Sequence, residues 1–357
     1  VEINTIAACG FIMIRQNGRT IEAAARYMIM SLLGSGLLLM GICMLYDLTG
    51  HLLMSNIREQ VEILFASGNY RIPLLVTIAL MSVGLAIKSA LFPFHAWLPD
   101  AYGYSTVSSA AILSSLVSKG YIFLLIKIIY RVIGFDIFYN SRIINILFVF
   151  GLMGMIFGSL SAIKENDVRR MIAFSSVAQI GYIYMGIGMG TQAGMAASVF
   201  HVLSHAATKS LLFIAAIGLT DVSGGSRQFV ELTGAAYRNK WAGVAFTVGS
   251  LSMVGVPLFS GFISKLLFAQ AAVQNNVKML PALIVLGIST VLNAIYFMKT
   301  VIRIYTPVED RSYESVKFGG MKLYAATLVG FIILNVFLGV SSQPVVDLIG
   351  QGLAMFS

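Results

Sequence analysis

The chain has 357 residues, of which 58% are hydrophobic and only 11% charged, with a mean hydropathy of +0.86. A soluble domain needs roughly a quarter of its residues charged, so this composition excludes one and defines a polytopic, all-α membrane protein. The net charge of +9 is dispersed over short loops, which fits membrane topology and not nucleic-acid binding. In chain order, the apolar run 1–14 is too short for ~30 Å of hydrocarbon, which needs about 20 residues. Val1-Glu2-Ile3 carries no initiator Met, basic n-region or cleavage site. The run is therefore read as the second half of a helix, with earlier helices missing.

A loop over 15–26 leads to a second span at 27–46, and the more polar stretch 57–65 has apolar residues at helical spacing, expected along the interface. The third span, 73–94, carries Lys88 and Pro93, and the fourth, 106–133, carries Lys119 and Lys127. Spans five to seven cover 143–163, 168–189 and 193–219, the last holding His201, His205 and Lys209. The eighth, 241–272, is interrupted at Gly255-Val256-Pro257 and again near Gly261, just before Lys265. Spans at 280–302 and 323–340 follow, and the tail from Pro344 is expected to lie flat on the membrane. The reading is about ten transmembrane segments in a single membrane domain. Loop Lys and Arg are concentrated on one side, which includes Arg15, Arg170, Arg238, Arg311 and Lys317 and is therefore read as cytoplasmic.

A charge at the bilayer centre costs at least ~2.5–3.5 kcal/mol, so such residues face a wet or protein-lined interior and act there. Lys88, Lys119, Lys209 and Lys265 lie on four different apolar segments, and Glu2 opens a fifth. Desolvation favours a neutral amine and a nearby carboxylate favours an ammonium. Moving a carboxylate therefore switches a lysine between releasing and holding its proton, and Glu2 with Lys88 is the candidate pair. His201, His205 and Lys209 are spaced i, i+4, i+8 and share one helix face, where imidazoles can relay protons. Their alternative is a set of hydrogen-bonded core side chains. Lys127 and Lys299 sit near helix ends and are expected to snorkel.

Pro93 and Pro257 each remove a backbone donor and free a carbonyl, tolerable in a membrane only where protein or water takes over the bonding. Matched breaks in two halves point to inverted repeats with an ion site between them. A simple kink would account for one such proline, but both lie within eight residues of a buried lysine. Cys9 and Cys43 have no CxxC spacing and are read as buried, inert thiols rather than cluster ligands or a disulfide. The segment from His201 to His205 lacks the glutamate of HExxH and a third ligand, and only His51 and His95 remain as haem partners. No cofactor or metal and no redox or hydrolytic site is expected of this chain.

Several runs resemble the antiporter-like subunits shared by respiratory complex I, Mrp-type sodium/proton antiporters and membrane-bound energy-converting hydrogenases. Residues 88–101, KSALFPFHAWLPDA, resemble that family's K-x-x-x-x-P-x-H-x-W-L-P-D-A signature, and 167–177, DVRRMIAFSSV, its D-x-[KR]-R-x-x-A-[YF]-S-S run. The stretch from His201 resembles H-x-x-x-H-x-x-x-K-x-x-L-F, and residues 261–265 resemble G-F-x-[SG]-K. The resemblance covers the whole chain and implies two inverted five-helix repeats. It assigns 1–133 to the remainder of a first half-channel, 143–302 to a second, and 303–357 to a C-terminal helix and tail. It implies that Lys88 pumps with Glu2 as its partner and that Lys119 connects. The central axis would be His201, His205 and Lys209, with Lys265 the terminal site.

The implied function is translocation of protons, or Na+/H+ exchange, by a subunit of a larger complex in a prokaryotic plasma membrane. Its partners would be homologous antiporter-like and small membrane subunits, and electron transfer would fall to peripheral redox subunits. The competing reading is a stand-alone secondary transporter of an organic solute, which broken helices alone would allow. Several lysines with few acidic partners argue against it.

Overall fold

The computed structural model describes residues 1–68, 70–308 and 322–355. These form helices α1 (Glu2–Met13), α2 (Gly18–Thr49), α3 (Met54–Ser67), α4 (Arg71–Lys88), α5 (Leu98–Tyr104) and α6 (Val107–Ile133). Next come α7 (Phe135–Asn140), α8 (Ile143–Lys164), α9 (Val168–Gly188), α10 (Gln192–Asp221) and α11 (Ala235–Arg238). The chain continues through α12 (Lys240–Val254), α13 (Ser260–Val273), α14 (Met279–Ile304), α15 (Lys322–Val340) and α16 (Ser342–Ala354). Eight of them, α2, α4, α6, α8, α9, α10, α14 and α15, are long and apolar enough to cross a membrane. The expected ten segments resolve into these eight, the shorter α1, and the pair α12–α13. Arg311 and Lys317, used above for orientation, lie outside the described residues.

Local capping signals explain several helix starts. Asp167 accepts hydrogen bonds from the Arg169 and Arg170 amides, Thr191 from Gly194 and Asn239 from Ala242, each satisfying an orphan donor of a first turn. At Asn17 the cap is reciprocal with Thr20, so α2 begins at Gly18 and the loop expected over 15–26 is only a short turn. The tail is helical from Ser342. The second interruption expected near Gly261 is absent, because Gly261 lies inside α13. It is a site of close approach: a Cβ there would lie 1.8 Å from the Ser252 carbonyl oxygen.

Helix α9 sits at the centre, with 94% of its apolar window buried, and α10 follows at 78%. Helices α2 and α15 are peripheral. Cys43 on α2 is exposed and Cys9 half-buried, so the expectation of two buried thiols fails at Cys43. In lipid, helices associate through close backbone contact at small residues. Gly34 and Gly41 of α2 pack on Gly84 and Met81 of α4, where a Cβ added to Gly84 would lie 2.6 Å from the Gly34 carbonyl oxygen. Helices α8 and α9 cross the same way, a Cβ on Gly181 lying 2.6 Å from the Gly151 oxygen.

Gly84→Leu is therefore expected to force α2 from α4 at an overpacking cost of about 1–3 kcal/mol. In a detergent-solubilised thermal melt it should lower Tm by several degrees, whereas Gly120→Ala, with nothing within 4 Å, should not.

Candidate functional site

Both prolines lie in genuine breaks. Helix α4 stops at Lys88, the chain turns through Ala90 at φ 61° and Pro93, and α5 resumes at Leu98 with Pro99 in its first turn. Helix α12 stops at Val254, with Gly255 at φ 90° and Leu258 at φ 89°, and α13 starts at Ser260. Each break releases carbonyls that hydrocarbon cannot solvate. Trp97 Nε1 donates to the Ile87 oxygen at 3.2 Å, and Lys265 Nζ donates to the Val254 oxygen at 2.7 Å. The Lys265 ammonium thus lies against the negative end of the α12 dipole.

Lys88 ends its half-helix with a fully buried side chain. Its Nζ donates to Thr5 Oγ1 and Ser31 Oγ, each at 2.9 Å, and sits 5.1 Å from the Tyr121 ring centroid. Glu2 Oε1 is 3.8 Å away, within ion-pair reach but beyond a hydrogen bond, and accepts from Ser35 Oγ at 2.5 Å. The pair is asymmetric, with the Glu2 side chain 54% exposed against 0% for Lys88.

Lys119 projects from a distorted helix. Over Leu113–Val117 the turn of α6 is widened, the Ser118 amide reaching back to the Leu113 oxygen, and Lys119 Nζ donates to the Ser114 carbonyl. Such wide turns recur at functional sites because they displace backbone groups from the regular ladder. Tyr102 binds this turn through the Leu113 oxygen at 3.1 Å and Ser118 Oγ at 2.5 Å. Lys119 is in Coulombic range of His201, His205 and Lys209, and Lys265 is in range of His201.

The face of α10 is buried as its spacing requires. The His201 and His205 rings stack 5.8 Å apart and 7° from parallel, and His201 Nδ1 shares a hydrogen with Ser264 Oγ at 2.6 Å. His201 also stacks on Tyr182 at 5.5 Å, and Lys265 Nζ lies 5.9 Å from that same ring centroid. Both His205 nitrogens lack a hydrogen-bond partner among the described residues. Lys209 Nζ donates to the Ile172 oxygen at 2.7 Å and to Ser175 Oγ. Lys265 adds Thr290 Oγ1 at 3.0 Å. Among the described residues, no three His, Cys, Asp or Glu are placed to hold a metal ion. Lys127 and Lys299 are exposed.

The partners of these groups escaped the patterning. Tyr27, Ser31 and Ser35 do share i, i+4, i+8 spacing on α2, a stripe legible in hindsight. Asn335 is a stronger signal, the only amide side chain of the apolar helix α15. Its Nδ2 donates to Thr208 Oγ1 at 2.7 Å and its Oδ1 accepts from Ser260 Oγ at 3.0 Å, tying α15 to α10 and α13. Ser204 Oγ completes the group by donating to Ser260 Oγ at 2.8 Å. Outside the spans, Lys278 Nζ donates to the Gly188 oxygen at 2.6 Å, and burial pushes its ammonium down to about 8.

Eight candidate spans, two interrupted helices and an interior lined by basic and hydroxyl groups define an all-helical integral membrane protein with a polar axis. The family described as NADH:quinone oxidoreductase/Mrp antiporter, TM matches residues 1–292, and the chain belongs to that family. It is 34% identical over 309 residues to NADH-quinone oxidoreductase subunit N of Desulforudis audaxviator (strain MP104C), covering 85% of this chain and 59% of that protein. It thus spans less than two thirds of the length of this curated relative. The membrane-bound sulfane sulfur reductase, an archaeal respiratory membrane complex, contains a chain that superposes with a TM-score of 0.88 at 29% identity. That match covers 99% of this chain and 70% of the other. A chain of the Mrp complex from Dietzia sp. DQ12-45-1b superposes at 0.84 and 26% identity, covering 98% and 71%.

Asn335→Leu leaves the hydroxyls of Thr208 and Ser260 short of a partner, at a cost of about 1–3 kcal/mol. A drop in Tm in mild detergent is expected, with no change for Thr327→Val, whose hydroxyl, among the described residues, bonds only to Leu323 of its own helix.

Proposed function

We propose that this chain is an ion-translocating subunit of a larger membrane complex, moving protons or exchanging Na+ for H+ through its buried Lys, His and Glu groups. The observation that carries the reading is the chemistry of the partners. Lys88, Lys119, Lys209 and Lys265 are hydrogen-bonded to hydroxyl and carbonyl oxygens rather than to buried carboxylates. A neutral partner tolerates both amine and ammonium, so a proton can leave without stranding a counter-charge. A fixed ion pair would resist that.

In this reading Glu2 and Lys88 form the loading pair, and Lys119 passes charge to the His201–His205–Lys209 face. Lys265, at the second break, is the terminal group. Two unit charges about 10 Å apart repel by about 1.7 kcal/mol at an effective dielectric constant of about 20, more than a tenfold change in occupancy. A proton arriving at one site therefore drives the next. The two breaks then belong to inverted half-channels over 1–133 and 143–302, followed by the C-terminal segment 303–357. Loops with Arg15, Arg170 and Arg238 face the cytoplasm of a prokaryotic plasma membrane. The partners are homologous antiporter-like and small membrane subunits, with redox chemistry left to peripheral ones.

Lys88→Met or Lys119→Met should reduce proton or sodium flux in proteoliposomes at least tenfold while the complex still elutes intact. Glu2→Gln should give a partial loss. Wild-type flux in both lysine variants would sink the relay.

A further inference from the structure

At the end of the bundle where α1 meets α2, an open cavity of about 430 Å³ is lined by Arg15, Asn17, Arg19, Tyr104 and Arg227. Three guanidinium carbons surround the Tyr104 ring, those of Arg19 at 5.7 Å, Arg170 at 5.5 Å and Arg227 at 6.0 Å from its centroid. Their charges are unequally compensated. Arg170 is held by Asp100 and by Glu165 at 3.1 Å, and Arg227 pairs with Asp167 at 3.5 Å. Arg15 and Arg19 make no ion pair among the described residues, the carboxylate in Coulombic range of Arg15 being Asp221. Arg169, buried behind them, lies in Coulombic range of both Arg15 and Arg227. Like charges brought this close repel unless an anion joins them.

We propose that the cavity binds the phosphate of an anionic glycerophospholipid. A guanidinium fork matches a carboxylate or a phosphate. A carboxylate's two oxygens fill one fork, whereas a phosphate has further oxygens for a second, so two uncompensated arginines favour phosphate. The neighbouring surface is apolar: Phe11 and Ile14 at the end of α1 and Ile21 in the first turns of α2 are all exposed large hydrophobics. An amphiphilic anion satisfies both surfaces at once, the headgroup on the arginines and the acyl chains along α1 and α2. This site is independent of the lysine axis.

The test uses the full-length protein within its complex, in nanodiscs of phosphatidylcholine with or without phosphatidylglycerol, followed by native mass spectrometry and thermal melts. Phosphatidylglycerol should be retained through delipidation and raise Tm. Arg15→Gln/Arg19→Gln should weaken its retention at least tenfold, whereas Lys164→Gln/Lys240→Gln, which removes the same charge elsewhere, should leave it within twofold. Equal losses in the two double variants would reduce the effect to diffuse surface charge and overturn the site. So would retention unchanged by Arg15→Gln/Arg19→Gln, or no preference over phosphatidylcholine. Displacement of the lipid by millimolar inorganic phosphate, with the same thermal shift, would assign the cavity to free phosphate instead. Binding in the separated chain but not in the complex would assign it to a partner subunit.

Discussion

A backbone carbonyl released inside hydrocarbon must find a donor, and this requirement organises the interior of the molecule. Ile87 finds Trp97, and Val254 finds Lys265. The widened turn of α6 presents the Ser114 oxygen to Lys119, while Ile172 presents its own to Lys209. Three of the four axial lysines thus rest on main-chain oxygens. At the second break and at the widened turn of α6 the irregular backbone and its nearby lysine satisfy one another. Lys209 uses a carbonyl of the regular helix α9, and Lys88 uses hydroxyls.

The runs 88–101 and 167–177 also perform structural work away from that axis. Asp100, from the first run, binds Arg170, from the second, and also Arg26 of α2 at 2.7 Å. Arg169 donates to the Tyr102 oxygen at 3.1 Å and the Ser105 oxygen at 2.5 Å. Together these contacts fasten α5, the helix beyond the first break, to the start of α9. In this chain those residues thus form a clamp beside the first break, separate from the axial lysines and histidines.

Much of this was legible in the residues, because hydrocarbon is an unforgiving solvent. Long apolar runs, the basic residues inside them and both proline breaks follow from one-dimensional rules, as does the shared face of His201, His205 and Lys209. What those rules miss depends on how helices cross. Thr5, Ser175, Ser264 and Thr290 are ordinary helix hydroxyls until packing brings them to an amine or imidazole. Gly261 reads as a breaker but is instead the point where α13 touches the end of α12. The polar arginines flanking Asn17 read as a long loop, although a capping box already begins the helix there. Hydropathy also does not separate the two apolar environments of a membrane helix, and Cys43 lies on the outer one.

The crossing of α2 and α4 has a mechanical consequence for the first lysine. A Cβ at Gly34 would lie 3.0 Å from Lys88 Cγ, so on that side the lysine stem lies against bare backbone. Its tip is bracketed by Thr5 and Ser31, with Glu2 just beyond. Any side chain added at position 34 would push that stem aside and shift the amine relative to Thr5, Ser31 and Glu2, so the bare backbone of α2 sets where the lysine tip can sit.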